Sequence, residues 1–497
     1  MRPAWGPHLP SGVDQVDLLA EGTLVAAWTR RWTGDETHPV LHTEAGGWLG
    51  AGDLERATRR VAGRLHAAGL RRGDRILVSA PASLELVIAQ IAALRLGLVA
   101  VPANPAYRER EIQHLVRDAR PRAALVAGDE APGWVRSVDD SIALVGPAVE
   151  LPDAAGAPPG LDEVAPGDPA LLVYTSGTTG AAKGALHTHA SLLAGIASVR
   201  VAWRWSEADR LILALPLFHV HGLCVGLFGS LLAGGSILLQ PAFEVDAVLD
   251  AVAAGATLFF GVPTMYARLA ASPRLGELAG LRLCVSGSAP LAPALFERIA
   301  AGGGQRVVER YGMSETLMNI SNPVEGERRP GSVGLPLPGV EVELASDGEI
   351  LLRGPNLFAG YWDNPEATAA AFTAGGWFRT GDLAVRAPDG YHSIVGRSKE
   401  LIISGGFNVH PREVEEVLLG HPAVAEVAVA GTPSEEWGEV VTAYVVPRGA
   451  GPPDAAELAA FAADRLATYK RPRLIHFVTG LPRNALGKVI RAALRPP

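Results

Sequence analysis

The sequence predicts an α/β protein whose large N-terminal part contains parallel sheets covered by helices. Two further regions follow it, a small β-subdomain and a C-terminal α+β domain. The main observation is that short apolar runs alternate with stretches of helical periodicity along most of the chain. Such alternation is typical of strands joined by crossover helices. From Gly331 the runs shorten and are separated by Gly/Pro turns, and after Arg397 a mixed helix and strand pattern returns.

The elements of the N-terminal part follow in order along the chain. A helix is predicted over residues 53–70, with Asp53 as its N-cap, and a second over 83–97. The strands predicted around them are residues 75–80, 98–102 and 123–127. A loop rich in Ala, Pro, Gly and Asp over 154–167 separates these from the later strands, which are 170–173, 211–214, 236–239, 257–260, 281–285 and 305–309.

The C-terminal regions have their own pattern. The β-subdomain is predicted to contain strands over 340–344 and 349–352 and a hairpin turn at Asp389 and Gly390. Pro411 suits the first turn of a helix that ends at Gly420. The remaining predicted elements are strands over 424–430, 440–446 and 474–478 and a helix over 454–468. We expect a domain boundary between Gly396 and Arg397, which gives domains 1–396 and 397–497.

The composition is that of a folded soluble protein, with 48% hydrophobic and 19% charged residues. The net charge of −8 offers no general attraction to nucleic acid or to an acidic membrane. Cys224 and Cys284 lie in apolar runs and are expected to be buried thiols, which fits a reducing compartment. The uncharged stretch 222–239 could suggest a membrane span, but its glycines and serines favour a buried strand–helix pair. We therefore expect a cytoplasmic enzyme, monomeric or homodimeric, that acts on small molecules.

A glycine-rich segment, residues 174–184, is the strongest candidate for a ligand site. Glycines, Ser/Thr hydroxyls and Lys183 follow an apolar strand directly. Glycines let backbone N–H groups approach a ligand, and a lysine supplies a point charge suited to phosphate. A Walker A loop is excluded, because Gly184 follows the lysine where that motif requires Ser or Thr. The segment therefore predicts a phosphate site of another kind.

The segment resembles the phosphate-binding signature of the acyl-adenylate-forming enzymes, although Ala182 stands where many members have proline. Further motifs follow in the family's order at 286–290, 309–316, 377–382, 396–400 and 482–488. In the motif at 309–316, Ser314 replaces the usual threonine. The resemblance implies that a carboxylate attacks the α-phosphate of Mg-ATP to give an acyl-adenylate, which then passes to a thiol. No carrier segment follows, so we expect free coenzyme A as the thiol.

The resemblance also assigns residues to roles. Lys183, Glu315 and Lys488 are the expected catalytic residues, with Glu315 as Mg²⁺ ligand near Thr175 or Thr178. Lys488 is expected to stabilise charge between the acid and the α-phosphate. The residues assigned to ATP or AMP are Thr175, Ser176, Gly177, Thr178, Thr179, Gly180, Lys183, Gly287, Ser288, Ala289, Pro290, Glu309, Arg310, Tyr311, Gly312, Met313, Ser314, Asp382, Arg397 and Lys488. The C-terminal domain would rotate about Lys399 as a mobile lid, and Gly405, Gly406 and Phe407 would line a CoA tunnel.

The acid itself is predicted from segments 218–222, 261–266, 281–288 and 309–319, which look most like those of malonyl-CoA synthetases. A dicarboxylate needs a cation for its second carboxylate, because a buried unpaired charge is costly. Arg282 is the candidate, since it interrupts an apolar strand, although it could instead sit at the strand's exposed start. The other residues expected at the acid are His219, His221, Ser286 and Met313; either histidine could equally be a neutral buried residue.

Two alternatives to a malonate or methylmalonate–CoA ligase remain open. One is a ligase for a short or medium-chain monocarboxylic acid. The other is a non-catalytic nucleotide-binding relative, against which the joint presence of Lys183, Glu315, Asp382, Arg397 and Lys488 argues.

Overall fold

The computed structural model describes residues 4–44, 46–145, 157–175, 182–404, 407–434, 436–449, 453–484 and 488–495. The chain forms two compact units. The first comprises Met1–Glu341 with Arg353–Phe372, and the second comprises Val342–Leu352 with Thr373–Pro497. The predicted β-subdomain is thus grouped with the C-terminal part of the chain. The boundary that we expect between residues 396 and 397 lies beside the hinge about which the C-terminal domain would rotate. It stays a prediction.

The helices are given in chain order, with the last two in the second unit. They are α1 (Leu24–Gly34), α2 (Ala51–Ala67), α3 (Leu84–Arg95), α4 (Glu109–Ala119), α5 (Ala131–Arg136), α6 (His189–Ala202), α7 (Gly229–Ala233), α8 (Val245–Ala253), α9 (Pro263–Ala270), α10 (Pro293–Gly303), α11 (Pro365–Ala370), α12 (Pro411–Leu419) and α13 (Ala455–Ala463). A π-helical stretch, His221–Phe228, leads directly into α7.

The strands are likewise given in chain order. They are β1 (Pro39–Thr43), β2 (Gly47–Gly50), β3 (Arg75–Ser79), β4 (Val99–Pro102), β5 (Ala123–Val126), β6 (Ala143–Val145), β7 (Pro169–Thr175), β8 (Lys183–Thr188), β9 (Arg210–Leu213), β10 (Ser236–Leu239), β11 (Leu258–Gly261), β12 (Leu283–Ser286), β13 (Val308–Met313), β14 (Leu317–Ser321), β15 (Leu335–Pro336), β16 (Glu341–Leu344), β17 (Glu349–Arg353), β18 (Gly360–Tyr361), β19 (Phe378–Arg386), β20 (His392–Arg397), β21 (Ile402–Ser404), β22 (Phe407–Val409), β23 (Val424–Ser434), β24 (Gly438–Pro447) and β25 (Leu474–Phe477).

Two large sheets form the framework of the first unit. One has the order β15-β14-β13-β12-β11-β9-β10-β1-β2, and the other has the order β18-β8-β7-β4-β3-β5-β6. The inner strands of both pair in parallel. Antiparallel strands complete both edges of the first sheet and the β18–β8 edge of the second, whereas its other edge strand, β6, is parallel to β5. Parallel strands are covered on both faces, which explains their nearly continuous apolar runs. The predicted α/β class with parallel sheets is confirmed.

The second unit is built on antiparallel sheets. One has the order β16-β17-β19-β20, and the other joins β22, β21, β24 and β23, with β25 parallel to β24. Buried aliphatic residues of α12, α13 and the latter sheet form its core. Pro411 opens α12 as predicted, and Asp454 caps α13 by accepting the N–H of Ala456.

Two helix predictions need correction. Asp53 is not an N-cap: α2 begins two residues earlier, Gly50 is its N-cap, and the Asp53 carboxylate pairs with Arg56 at 2.8 Å. The helix predicted to reach residue 468 ends at Ala463. Arg471 donates to the carbonyls of Ala463 and Leu466 and so satisfies acceptors that a longer helix would use itself.

The cysteines and the uncharged stretch 222–239 lie in the interior. Cys224 is in the π-helical stretch and Cys284 is on β12, and both thiols are free and buried. The stretch itself becomes α7 and β10 after the π-helical turns, so it is a buried helix–strand pair. No described helix combines the length and apolarity that a bilayer crossing requires.

Candidate active site

The base of the predicted phosphate loop is an antiparallel strand pair. β7 leads into the loop and β8 leaves it, with Thr175 opposite Lys183 and Tyr174 opposite Gly184. Ser176, Gly177, Thr178, Thr179 and Gly180 lie outside the described residues. The flanking strands therefore fix where the loop starts and where its lysine emerges.

Helix α4 contacts both ends of this loop. The Tyr174 hydroxyl donates to the Asp118 carboxylate, and the His114 ring nitrogen Nε2 lies 2.9 Å from the carbonyl oxygen of Ala182. Because His114 and Asp118 are four residues apart, they lie on one face of the helix. One rigid element thus holds the residues on both sides of the loop.

Lys183 and Glu315 meet on a single aromatic side chain. The Lys183 ammonium lies 5.1 Å from the centroid of the Tyr361 ring. The Tyr361 hydroxyl donates to Glu315 Oε1 at 3.0 Å. The Glu315 side chain is buried, and its backbone carbonyl accepts the N–H of Phe358. Proximity of Thr175 to a metal at Glu315 stays a prediction.

The motif 309–314 forms β13 and the turn into β14. Glu309 accepts the N–H of Leu291 through Oε1, so it supports the segment after β12. Gly312 lies against the backbone of the hairpin: a Cβ there would lie 2.0 Å from the Leu317 carbonyl oxygen. Tyr311 donates weakly to the Met313 sulfur at 3.9 Å, and the Ser314 carbonyl lies 2.7 Å from His187 Nε2.

Residues 286–290 form the end of β12 and the turn after it, and this turn lies beside the predicted His221. Ser288 has a positive φ of 67°, and its Oγ is 3.4 Å from His221 Nδ1. Ser286 Oγ and His221 Nε2 are buried with no hydrogen-bond partner among the described residues. Ala289 is half-buried and Pro290 is exposed. This turn therefore presents polar atoms that a ligand could satisfy.

Both histidines are neutral near pH 7. Burial lowers the pKa of His219 to about 4, and the charge of Arg310 adds to the effect. The pKa of His221 is also well below its ordinary value, because of burial and then of the same arginine. Neither histidine can supply the cation for an anionic ligand.

Arg310 is the buried cation of this region. Its Nε and Nη2 atoms are buried and have no hydrogen-bond partner among the described residues. Burial lowers the pKa of Arg310 to about 9. The strands β12 and β13 pair Ser286 with Glu309, so Gly287 lies level with Arg310. A Cβ on Gly287 would lie 2.2 Å from Arg310 Cζ, so the absence of a side chain there makes room for the guanidinium.

Arg282 takes the second of the two placements that the sequence left open, the exposed start of the strand. It immediately precedes β12, at the opposite end of the strand from Ser286. Its Nε and Nη2 bind the two oxygens of Asp209 at 2.8 and 2.7 Å, and Nη1 donates to the Trp203 carbonyl. A guanidinium committed to a buried carboxylate at the amino end of the strand is not available to the acid, so the assignment is corrected: Arg282 is structural.

The predicted residues of the second unit form their own cluster. Asp382 and Arg397 are opposite each other on β19 and β20, and Arg397 Nε lies 2.8 Å from Asp382 Oδ1. Lys488 is half-buried, and its pKa is lowered by burial and then by the charge of Arg397. Lys399 lies in a short 3₁₀ turn after β20.

The predicted CoA-tunnel residues are only partly described. Phe407 is exposed and stacks on Tyr469 at 4.7 Å, whereas Gly405 and Gly406 lie outside the described residues. Their role stays a prediction.

Comparison with known proteins agrees with this architecture. A family model described as AMP-binding enzyme matches residues 28–362, and one described as AMP-binding enzyme C-terminal domain matches residues 413–488. A feruloyl-CoA synthase from Amycolatopsis sp. is 37% identical over 490 residues, covering 95% of this chain and 98% of that protein.

Solved structures extend the likeness to three dimensions. ATP-bound MatB from Rhodopseudomonas palustris has a TM-score of 0.88 at 37% identity, covering 94% of this chain and 97% of that chain. A malonyl-CoA ligase in a ternary product complex with methylmalonyl-CoA and AMP has a TM-score of 0.66 at 41% identity, covering 97% and 100%.

The matches to both the large and the C-terminal family models define an adenylate-forming enzyme. The chain belongs to the AMP-binding enzyme family and, within it, to the AMP-forming acyl-CoA ligases. Solved relatives hold ATP with a magnesium ion, or AMP with a CoA thioester, in agreement with the predicted use of ATP, Mg²⁺ and CoA.

Proposed function

We propose that this chain joins malonate or methylmalonate to CoA, with ATP converted to AMP and diphosphate. The observation that carries the proposal is Arg310, which the sequence resemblance assigns to the nucleotide and which we reassign to the acid. It is a buried guanidinium whose Nε and Nη2 the described residues leave unpartnered. A buried charge without a partner costs several kcal/mol, so an anion is the expected occupant. The donors of a guanidinium match a carboxylate bidentately.

Strand geometry supports this use of Arg310. Successive side chains of a strand point to opposite faces, so Glu309 is directed to Leu291 while Arg310 is directed to Gly287. The neutral His219 and His221 stand beside Arg310. The second carboxylate of the acid would therefore pair with the Arg310 cation among neutral side chains. The low polarity of such a site would strengthen the attraction between the two charges.

The residues of the first unit suit Mg-ATP. Mg²⁺ takes oxygen ligands and usually only one or two carboxylates from the protein when phosphates supply the rest. Glu315 offers such a carboxylate, and Lys183 offers a cation on the same tyrosine ring. In the described residues, no three His, Cys, Asp or Glu side chains group as a self-sufficient metal site. Bound there, Mg²⁺ would neutralise phosphate charge.

The reaction then has two steps. The acid's oxygen attacks the α-phosphorus, the bond to the β-phosphate oxygen breaks, and diphosphate leaves. Lys183 and Lys488 are proposed to stabilise the negative charge that develops on the phosphates, and Asp382 to accept hydrogen bonds from the ribose. In the second step the CoA sulfur attacks the acyl carbon and AMP leaves. The protein contributes mainly positioning and electrostatics.

A monocarboxylate ligase is the second candidate, and the 37% identity to a feruloyl-CoA synthase favours it. In that case Arg310 would bind a group that all substrates share, such as the reacting carboxylate or the nucleotide. The two candidates therefore predict different results when Arg310 is substituted. The first predicts a loss of activity on dicarboxylic acids alone, and the second predicts a similar loss on every acid.

The test is a panel of acids with the Arg310→Gln variant. Thioester mass after incubation with ATP, Mg²⁺ and CoA identifies which of malonate, methylmalonate, propionate and ferulate the wild type uses. For malonate, removing one partner of a buried pair should cost about 3 kcal/mol, or roughly 100-fold in kcat/KM. For propionate the loss should stay below about fivefold, since it has no second carboxylate to lose its partner.

Arg282→Ala is the matched control. It removes a guanidinium bound to the buried Asp209, so it should lower the melting temperature and leave the preference among acids unchanged. Equal loss on malonate and propionate in Arg310→Gln, or a wild type that turns over only monocarboxylates, would reject the malonate assignment. No diphosphate release with any acid would reject the ligase function itself.

Location and assembly belong to this proposal. The buried free thiols of Cys224 and Cys284 support a reducing compartment such as the cytoplasm. A monomer or homodimer stays the prediction.

A further inference from the structure

Tyr361 occupies a position between two charged residues of the proposed nucleotide site. It lies on β18, which pairs antiparallel with β8 and places Tyr361 opposite Ala185. Lys183 and Ala185 are two residues apart on β8 and so lie on the same face. Diagonal neighbours across two strands are within reach of aromatic and long side chains. The strand register therefore brings the tyrosine ring to the lysine.

The ring is held in place by its surroundings. The Phe358 ring packs edge-on against it with centroids 4.9 Å apart, and the Tyr361 backbone N–H donates to Thr368 Oγ1 at 2.9 Å. Gly360 contributes close packing, because a Cβ there would lie 2.9 Å from the Thr368 side chain. The orientation of the ring is thus set by the fold on both sides.

The two ends of the side chain have different partners. The aromatic face lies under the Lys183 ammonium, and the hydroxyl donates to the Glu315 carboxylate. A cation–π contact at an exposed lysine is weak, so Lys183 can leave the ring and bind a phosphate at little cost. A neutral donor orients the carboxylate without cancelling its charge.

We propose that Tyr361 is a positioning residue that sets the spacing of the phosphate lysine and the magnesium-binding carboxylate. Without it, a lysine and a carboxylate at one site gain most by pairing with each other, which would withdraw both from Mg-ATP. The ring offers Lys183 an alternative contact, and the hydroxyl holds Oε1 of the Glu315 carboxylate in a fixed direction. This inference rests on the proposed roles of Lys183 and Glu315 in binding Mg-ATP.

Two substitutions separate the two contacts. Tyr361→Phe keeps the ring under Lys183 and removes the bond to Glu315. Tyr361→Leu removes both. The bond to Glu315 is tested by calorimetric titration with ATP at a series of Mg²⁺ concentrations, which gives the Mg²⁺ concentration needed for half-maximal ATP binding. The contact between the ring and Lys183 is tested by the affinity for ATP in EDTA, where no metal is present. Neither readout requires turnover.

For Tyr361→Phe we expect the half-maximal Mg²⁺ concentration to rise about tenfold, since a hydrogen bond to a charged group is lost. Its affinity for ATP in EDTA should equal that of the wild type. For Tyr361→Leu the Mg²⁺ requirement should rise similarly, and the affinity in EDTA should fall about threefold, because Lys183 without its ring contact pairs with Glu315 and must leave it to bind phosphate. Tyr444→Phe, the same loss of one hydroxyl in the second unit, is the matched control and should change neither value.

An unchanged or lower Mg²⁺ requirement in Tyr361→Phe overturns the inference, and so does equal loss of metal-free affinity in both variants. The Phe variant is nearly isosteric and retains the packing on Phe358, so it decides the question even where the Leu variant does not fold. A wild type that binds no ATP, with or without Mg²⁺, refutes instead the proposed function on which the inference rests.

Discussion

Removal of the hydroxyl of Tyr174 should weaken ATP binding, because this hydroxyl fixes the start of the proposed phosphate loop to α4. Tyr174→Phe keeps the ring, which lies edge-on to His114 with centroids 6.0 Å apart. What is lost is the hydrogen bond to the Asp118 carboxylate. The pKa of Tyr174 is raised by burial and by this bond, so the donor is present at every working pH.

The size of the effect follows from the charge of the acceptor. A hydrogen bond to an ionised group contributes about 1.5–3 kcal/mol, and Tyr174 is half-buried, so we take about 2 kcal/mol. If ATP binding needs the loop in its anchored position, this loss corresponds to roughly 30-fold in Kd. His114→Phe, which removes the contact to the Ala182 carbonyl, should act in the same direction with about a tenth of that factor, since a carbonyl oxygen is a weaker acceptor than a carboxylate.

The assay is calorimetric titration with Mg-ATP, together with thermal melting. Asp118→Asn should weaken binding less than Tyr174→Phe, and the double variant should be no weaker than Tyr174→Phe alone, because both remove one bond. Gln113→Ala, a half-buried neighbour on α4 whose side chain bonds Glu109 and Ser137, serves as control and should bind ATP normally. If Tyr174→Phe melts at a lower temperature but keeps the wild-type Kd, the bond stabilises the fold only and the anchoring argument fails.

The remaining predictions concern the second unit and the core. The lowered pKa of Lys488 means that adenylation, read as diphosphate release, should decline as pH rises through that pKa, whereas Lys488→Arg should keep its charge and lose this decline. By linkage, the same lowered pKa makes protonated Lys488 unfavourable to the fold, so its contribution to stability should improve as pH rises towards its ordinary value. Arg95, fully buried and bound to Glu55 and Asp162, should be mainly structural: Arg95→Met should destabilise the first unit by about 3–5 kcal/mol, seen as earlier melting, with the preference among acids unchanged.

Strand positions could be predicted from the sequence because apolar runs report burial directly. The strand predicted at 236–239 coincides with β10, and the one at 75–80 differs from β3 by one residue. Helix ends were harder to predict, since they depend on which residues satisfy the terminal N–H and C=O groups. Asp454 caps its helix from within the local sequence, whereas the stop after Ala463 depends on Arg471, eight residues further on.

The candidate site residues likewise divide into those that the local sequence reveals and those whose role depends on contacts with distant parts of the chain. The motif residues could be named from local sequence, but Tyr361 could not, because its importance comes from a two-residue strand that places it beside β8. Asp118 and His114 likewise lie on a helix whose sequence shows only amphipathic periodicity. A signal was available for Tyr174, a polar aromatic residue at the end of an apolar strand, since a half-buried hydroxyl usually finds a partner.

The choice between Arg282 and Arg310 shows what residue type alone cannot decide. Both arginines lie next to or within apolar strands of one parallel sheet, and ligands of such sheets bind at the carboxyl ends of the strands. Arg282 precedes β12 and is therefore at the amino end, where Asp209 binds it. Arg310 is level with Gly287, just past the carboxyl end of β12, and a Cβ on that glycine would meet its guanidinium. Strand direction, which can be read from the order of the predicted elements, thus places Arg282 at the end of the sheet away from the expected ligand, and the glycine beside Arg310 marks the guanidinium that we propose for the acid.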